Sequence, residues 1–268
     1  MCEQSKKNLI QQEQERASKY KSELDLEKDG DLVLLTPENA AKIGARILLN
    51  PRYEKTVDET NENSAMFCIK QLKEGNFPYT KGNMETIIRR INSENSTRMS
   101  DDEMEEIAKR IVENASTKEE LITILKKKDY SLIDEIAKTI NTTTKDKKKE
   151  RKRVNFSFAT KFYHYMSFYL FEGKKWQDFY SIYDNIVIHL LPDYAKYLKI
   201  KCDLKPFNKN NAQKPSEYYE KYQALIGEIL EKDGNKISRQ AFDHIMWYYT
   251  KTKKDENPAD PNSDQTDE

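Results

Sequence analysis

The sequence predicts an all-α fold. Apolar residues recur at helical rather than alternating spacing, capping signals stand at several helix starts, and only seven Gly and eight Pro occur in 268 residues. A turn-rich sandwich or barrel would need more of both. No stretch approaches the roughly 20 apolar residues that cross a bilayer, so no membrane partner is expected.

Residues 1–30 are polar, with sparse apolar positions, and are expected as a solvated or mobile segment; they carry no signal-peptide core,. Thr36 as N-cap and Pro37 at the first helical position start a helix through Ala40, Ile43 and Ile47, which Asn50-Pro51 ends,. Cys68, in Ala65-Met-Phe-Cys-Ile69, reads as helix core,. Ser100-Asp-Asp-Glu103 and Thr117-Lys-Glu-Glu120 are capping boxes, each followed by apolar residues at helical spacing,. A further helix is expected over 131–141. Ser216 is expected to cap a helix from Tyr218 to Leu230 that ends at Asp233-Gly234, and Ser238 to cap the last one,. No alternating strand pattern stands out. The helical domain spans 31–254, and the tail 255–268, with six acidic residues and no basic one, is expected to be disordered,.

Charge balances overall, with 46 basic against 46 acidic residues, so only its distribution points to a partner. The three cysteines, Cys2, Cys68 and Cys202, are odd in number and far apart, which argues against a disulfide framework and for a cytoplasmic location,. His164, His189 and His244 fall on separate helices without metal-ligand spacing,. Lys145–Arg153 holds seven basic and two acidic residues. It reads either as a solvated loop or as a phosphate-contacting edge. Directly after it, 12 of the 28 aromatic residues lie between Phe156 and Tyr183.

Within that stretch Phe158, Phe162, Tyr165 and Tyr169 share one helical face, and Lys161 stands at its edge,. An ammonium at an apolar edge loses hydration, which favours the neutral, nucleophilic amine; most such lysines instead snorkel to water. Asp184 opens the run Asn185–Leu191. It reads as an N-cap, and a carboxylate there is also placed to stabilise a cationic transition state.

Thr160-Lys161, followed by Tyr183-Asp184-Asn185-Ile186-Val187, resembles the helix-hairpin-helix DNA glycosylases, in particular their lysine-bearing 8-oxoguanine glycosylase branch. The closing Ser238-Arg-Gln-Ala-Phe-Asp-His-Ile-Met-Trp-Tyr-Tyr249 is similar to the last helix of bacterial members, and the likeness spans roughly 100–250. The resemblance implies a two-lobed helix-hairpin-helix fold with its hairpin region near 140–171. It implies a DNA glycosylase with β-lyase activity, without cofactor or metal, acting as a monomer on a nucleotide flipped from double-stranded DNA in the bacterial cytoplasm or nucleoid. Lys161 would attack the sugar C1′, release the base and form a Schiff base. Asp184 would stabilise the oxocarbenium charge and assist elimination. Tyr165, Asp243 and Trp247 would line the base pocket. Alternatively, Asp243 pairs with Arg239 and Trp247 packs in the core with Phe242, Ile245 and Met246. Ser157, Ala159 and Thr160 of the hairpin would approach a phosphate, Ser157 and Ala159 standing where the family has glycines. Lys147, Lys148, Lys149, Arg151, Lys152 and Arg153 would add a DNA-binding edge. Two other expectations stand beside this one: a non-catalytic DNA-binding or phage-defence module of the same fold, and a helical protein-interaction domain.

Overall fold

Capping residues set most helix starts where the sequence places them. In the computed structural model, Thr36 Oγ1 accepts from Asn39 N, and the Ser100–Glu103 box closes in both directions. Thr117 caps its helix, while Glu120 reaches back to the N–H and hydroxyl of Ser116. The structure describes residues 24–49, 60–95, 97–138, 140–143, 150–208 and 214–256, of which 140–143, 150–153 and 249–256 as backbone alone.

Among these residues the chain is mostly helical. A short hairpin, β1 (Lys28–Asp29) with β2 (Leu32–Val33), precedes α1 (Pro37–Leu48), α2 (Ala65–Glu74), α3 (Lys81–Asn95), α4 (Asp101–Asn114), α5 (Lys118–Lys127) and α6 (Ser131–Ala137). A second antiparallel hairpin follows, β3 (Ile140–Thr143) with β4 (Glu150–Arg153), then α7 (Phe156–Leu170), α8 (Asn185–Tyr197), α9 (Pro215–Lys232) and α10 (Arg239–Glu256).

Several boundaries differ from expectation. Residues 24–30 belong to the folded body: Asn39 holds Glu27 through its amide, and Leu24 and Leu26 pack on the core. The helix expected over 131–141 stops at Ala137, because the chain turns into β3. The basic run therefore ends in a strand, with Arg151, Lys152 and Arg153 paired to Thr142, Asn141 and Ile140. Ser216 is not an N-cap; Pro215 starts α9, and Ser216 gives its N–H and hydroxyl to Asp134 on α6. Ser238 does cap α10. That helix takes in Asp255 and Glu256 from the segment expected as a tail.

One continuous hydrophobic core runs through the molecule. Ten of the fifteen α7 residues are buried, as a helix apolar on most sides requires. It packs against α2, α3 and α6. At the other end α1 returns to pack on α10, which also meets α8, while α9 bridges α6 and α8. No helix among the described residues is long and apolar enough to cross a membrane.

Candidate functional site: a side-chain-clamped strap beside α7

Lys161 is the only lysine or arginine in α7. It stands on the helix's one partly exposed stripe, with Ser157, Tyr165 and Phe168 at helical spacing,. Every other side of the helix faces protein.

Asp184 arrives by an unusual route. Between α7 and α8 the chain runs extended through the interior, with Tyr180, Ser181 and Tyr183 buried. Buried backbone needs hydrogen-bond partners, and here no neighbouring strand supplies them. Side chains from three helices do. Ser181 N donates to Gln223 Oε1 (3.3 Å), and its carbonyl accepts from Tyr219 OH (2.6 Å) and Gln223 Nε2 (2.9 Å). Ile182 N donates to Asp243 Oδ2 (2.9 Å), and its carbonyl accepts from Tyr222 OH (2.8 Å). Tyr183 N donates to Thr160 Oγ1 and its carbonyl accepts from Ser157 Oγ, both at 3.1 Å. One residue before Ser181, Tyr180 O accepts the proton of His164 Nδ1 at 2.7 Å. Burial pushes the Tyr219 and Tyr222 phenols well above their usual range, so they remain donors.

The strap ends at Asp184, which caps α8 by accepting from Ile186 N at 2.7 Å. The N-cap reading therefore holds, and the carboxylate stays half-buried at the surface. Lys161 and Asp184 are each next in sequence to one end of the Thr160–Tyr183 hydrogen bond.

Other expected residues serve the scaffold instead. Ala159 and Thr160 are fully buried, and the Ser157 and Thr160 hydroxyls are taken up by Tyr183. They cannot approach a phosphate as a glycine hairpin does, because packing under the strap covers them. Tyr165 faces α3, where its hydroxyl accepts from Asn95 Nδ2 at 3.1 Å beside Glu94, so it is an interhelical contact rather than a pocket wall. Asp243 is interior: burial pushes its carboxyl well above the carboxylate range, the Ile182 N–H opposing this, and its Oδ1 has no hydrogen-bond partner. Nor does it form a close ion pair with Arg239, which reaches over to Gln223 at 3.0 Å. Trp247 is only partly buried, unlike Phe242, Ile245 and Met246, and shares a stripe of α10 with His244. Burial, with a smaller contribution from His164, lowers His244 to about 4. Lys147, Lys148 and Lys149 lie outside the described residues, and Arg151, Lys152 and Arg153 are described as backbone alone. His164, His189 and His244 join no group of metal-ligating side chains among the described residues.

A cleft of about 630 Å³ opens between Lys201–Asn208 and α9. Its lining residues Phe207 and Tyr218 pack on Phe156, at 4.4 and 5.6 Å between ring centres. Phe156 and Lys161 are about 140° apart around the helix axis, so this cleft sits away from the lysine.

The strap's clamps, Gln223, Tyr219 and Tyr222, carry no sequence signal of their role; the spacing of tyrosines on α9 reads simply as core. Comparison with protein-family models, with curated proteins and with solved structures finds no match to this chain.

Proposed function

We propose that the protein is a DNA glycosylase with lyase activity, of the helix-hairpin-helix kind its motifs resemble, with Lys161 as nucleophile and Asp184 as electrostatic partner. One observation supports the reading: the Thr160 Oγ1–Tyr183 N hydrogen bond of 3.1 Å joins the backbone beside Lys161 to the backbone beside Asp184, and both of those residues are partly exposed. The two-lobed body that the resemblance implies is part of the same proposal, with one continuous core joining α2, α3, α6 and α7 to α1, α8 and α10.

The chemistry requires a nucleotide turned out of the duplex. The neutral Lys161 amine gives its lone pair to C1′ as the C1′–N bond breaks, and the departing base keeps that electron pair and takes up a proton. Positive charge spreads over C1′ and the ring oxygen, where the Asp184 carboxylate stabilises it. Ring opening leaves a protonated Schiff base. Loss of a C2′ proton expels the 3′ phosphate, and water then releases the lysine.

Borohydride reduction of that Schiff base leaves a covalent adduct. Duplexes carrying a panel of damaged bases are expected to give an adduct with at least one of them, and Lys161→Gln to abolish it. Absence of any adduct, or its persistence in Lys161→Gln, refutes the reading. The position of the open cleft, away from Lys161, favours a second reading as a non-catalytic DNA-binding module, which predicts salt-dependent duplex binding without base release.

A further inference from the structure

At the far end of α7 two lysine runs converge on aromatic rings. Lys126 and Lys127 end α5, Lys128 is its left-handed C-cap (φ 55°), and Lys174 and Lys175 follow α7; all five are exposed. Lys126 Nζ stands 4.5 Å from the centre of the Trp176 ring and 5.7 Å from that of Phe171. Lys175 Nζ is 5.1 Å from the Trp176 ring, and Lys128 Nζ 4.4 Å from the Phe179 ring.

The neighbouring acids are occupied elsewhere. Glu172 pairs with Lys70 and Lys73. Asp178 accepts the backbone N–H groups of Arg239 and Gln240 at the start of α10. Asp129 accepts from Ser131 N. None of the five lysines forms an ion pair with a carboxylate among the described residues. Like charges gathered on one surface repel. Cation–π contacts offset part of that cost and hold the ammoniums in place. Trp176 has two ammoniums against it, so the ring mounts charge rather than offering itself for base stacking.

We propose that this lysine–aromatic patch binds the phosphodiester backbone of duplex DNA, as a second contact surface beyond the nucleotide presented to Lys161. The choice of nucleic acid over an acidic protein rests on Lys161 acting as a glycosylase nucleophile; the surface itself rests on the lysines and rings. Along α7 the patch begins about 15 Å from Lys161, and Trp176 O is held by Ser167, about 120° round the helix from that lysine,, so the patch is a surface separate from the one that carries the nucleophile.

The test is fluorescence anisotropy with a labelled, undamaged duplex across a salt series. Removing one lysine–phosphate pairing lowers the slope of log affinity against log salt by about 0.9, so Lys126→Gln/Lys174→Gln/Lys175→Gln is expected to lower it by about two to three. An unchanged slope overturns the proposal. So does competition by poly-glutamate as effective as by duplex of equal charge, which marks an acidic-protein surface. In Trp247→Phe, Trp176 is the sole tryptophan; duplex is expected to alter its emission, and unaltered emission at saturation overturns the proposal. Lys161→Gln is expected to keep the wild-type slope. Failed trapping with a patch-dependent slope sinks only the glycosylase, whereas successful trapping with an unchanged slope sinks only the patch.

Discussion

Replacing Glu94 by Gln is expected to change the protein's stability in a strongly pH-dependent way. Glu94 lies between α2, α3 and α7, where Oε1 accepts from Ala65 N at 2.7 Å and the buried Oε2 has no hydrogen-bond partner. Burial is the chief cause that pushes its carboxyl up to about 7, against the opposing influence of the Ala65 N–H, the Tyr165 hydroxyl and the Arg90 charge. The folded state therefore holds a proton that the unfolded chain, at about 4.5, has lost. Stability contributed by the protonated acid is full below about 4.5 and declines as pH rises to about 7. That displacement corresponds to about 3 kcal/mol, an upper figure for a partly solvated group. Gln keeps the acceptor for Ala65 N and cannot ionise. Denaturant unfolding at pH 5 and pH 8 measures the effect. Glu94→Gln is expected to match the wild type within about 1 kcal/mol at the lower pH and to exceed it by up to about 3 kcal/mol at the higher. An equal difference at both pH values refutes the reasoning.

The mirror-image prediction concerns His244, lowered to about 4 by burial and by His164. Its stabilising contribution is complete above about 6.5 and is lost as pH falls towards 4, by at most about 3 kcal/mol, so His244→Gln is expected to flatten acid unfolding over that window; an unchanged midpoint refutes it. Glu94 and His244 work in opposite directions across nearly the same range, so the wild type is expected to look less pH-sensitive than either variant. Thr160→Val keeps the shape of the side chain but strips the acceptor from Tyr183 N. A destabilisation of about 1–3 kcal/mol is expected, with faster hydrogen exchange at Tyr183; unchanged exchange at that amide refutes the clamp.

Local signals are the legible ones. Thr36, Ser100 and Ser238 announce their helices because a cap is a contact three residues long. Asp184 is legible as an N-cap for the same reason. The β3–β4 hairpin is not, since Ile140–Thr143 and Glu150–Arg153 alternate no apolar face and pair backbone to backbone,. Least legible is the strap. Its partners lie between 16 residues away, at His164, and 61 away, at Asp243, and nothing in Tyr-Ser-Ile-Tyr-Asp announces that its amides are to be met by side chains of three separate helices. The residues expected as DNA contacts or pocket walls and found elsewhere, Thr160, Tyr165 and Asp243, are polar groups that satisfy this interior.

The docking of α1 on α10 has a bearing on how the chain comes off the ribosome. Tyr194 OH also reaches Val33 O at 2.6 Å, and about 190 residues separate the end of α1 from the start of α10. At typical translation speeds of about 5–20 residues per second, the nascent first helix waits about 10–40 s for its mate. Throughout that interval the apolar side that Ile43 and Ile47 bury in the finished fold lacks its last-made cover, so closure of the molecule waits for its last helix.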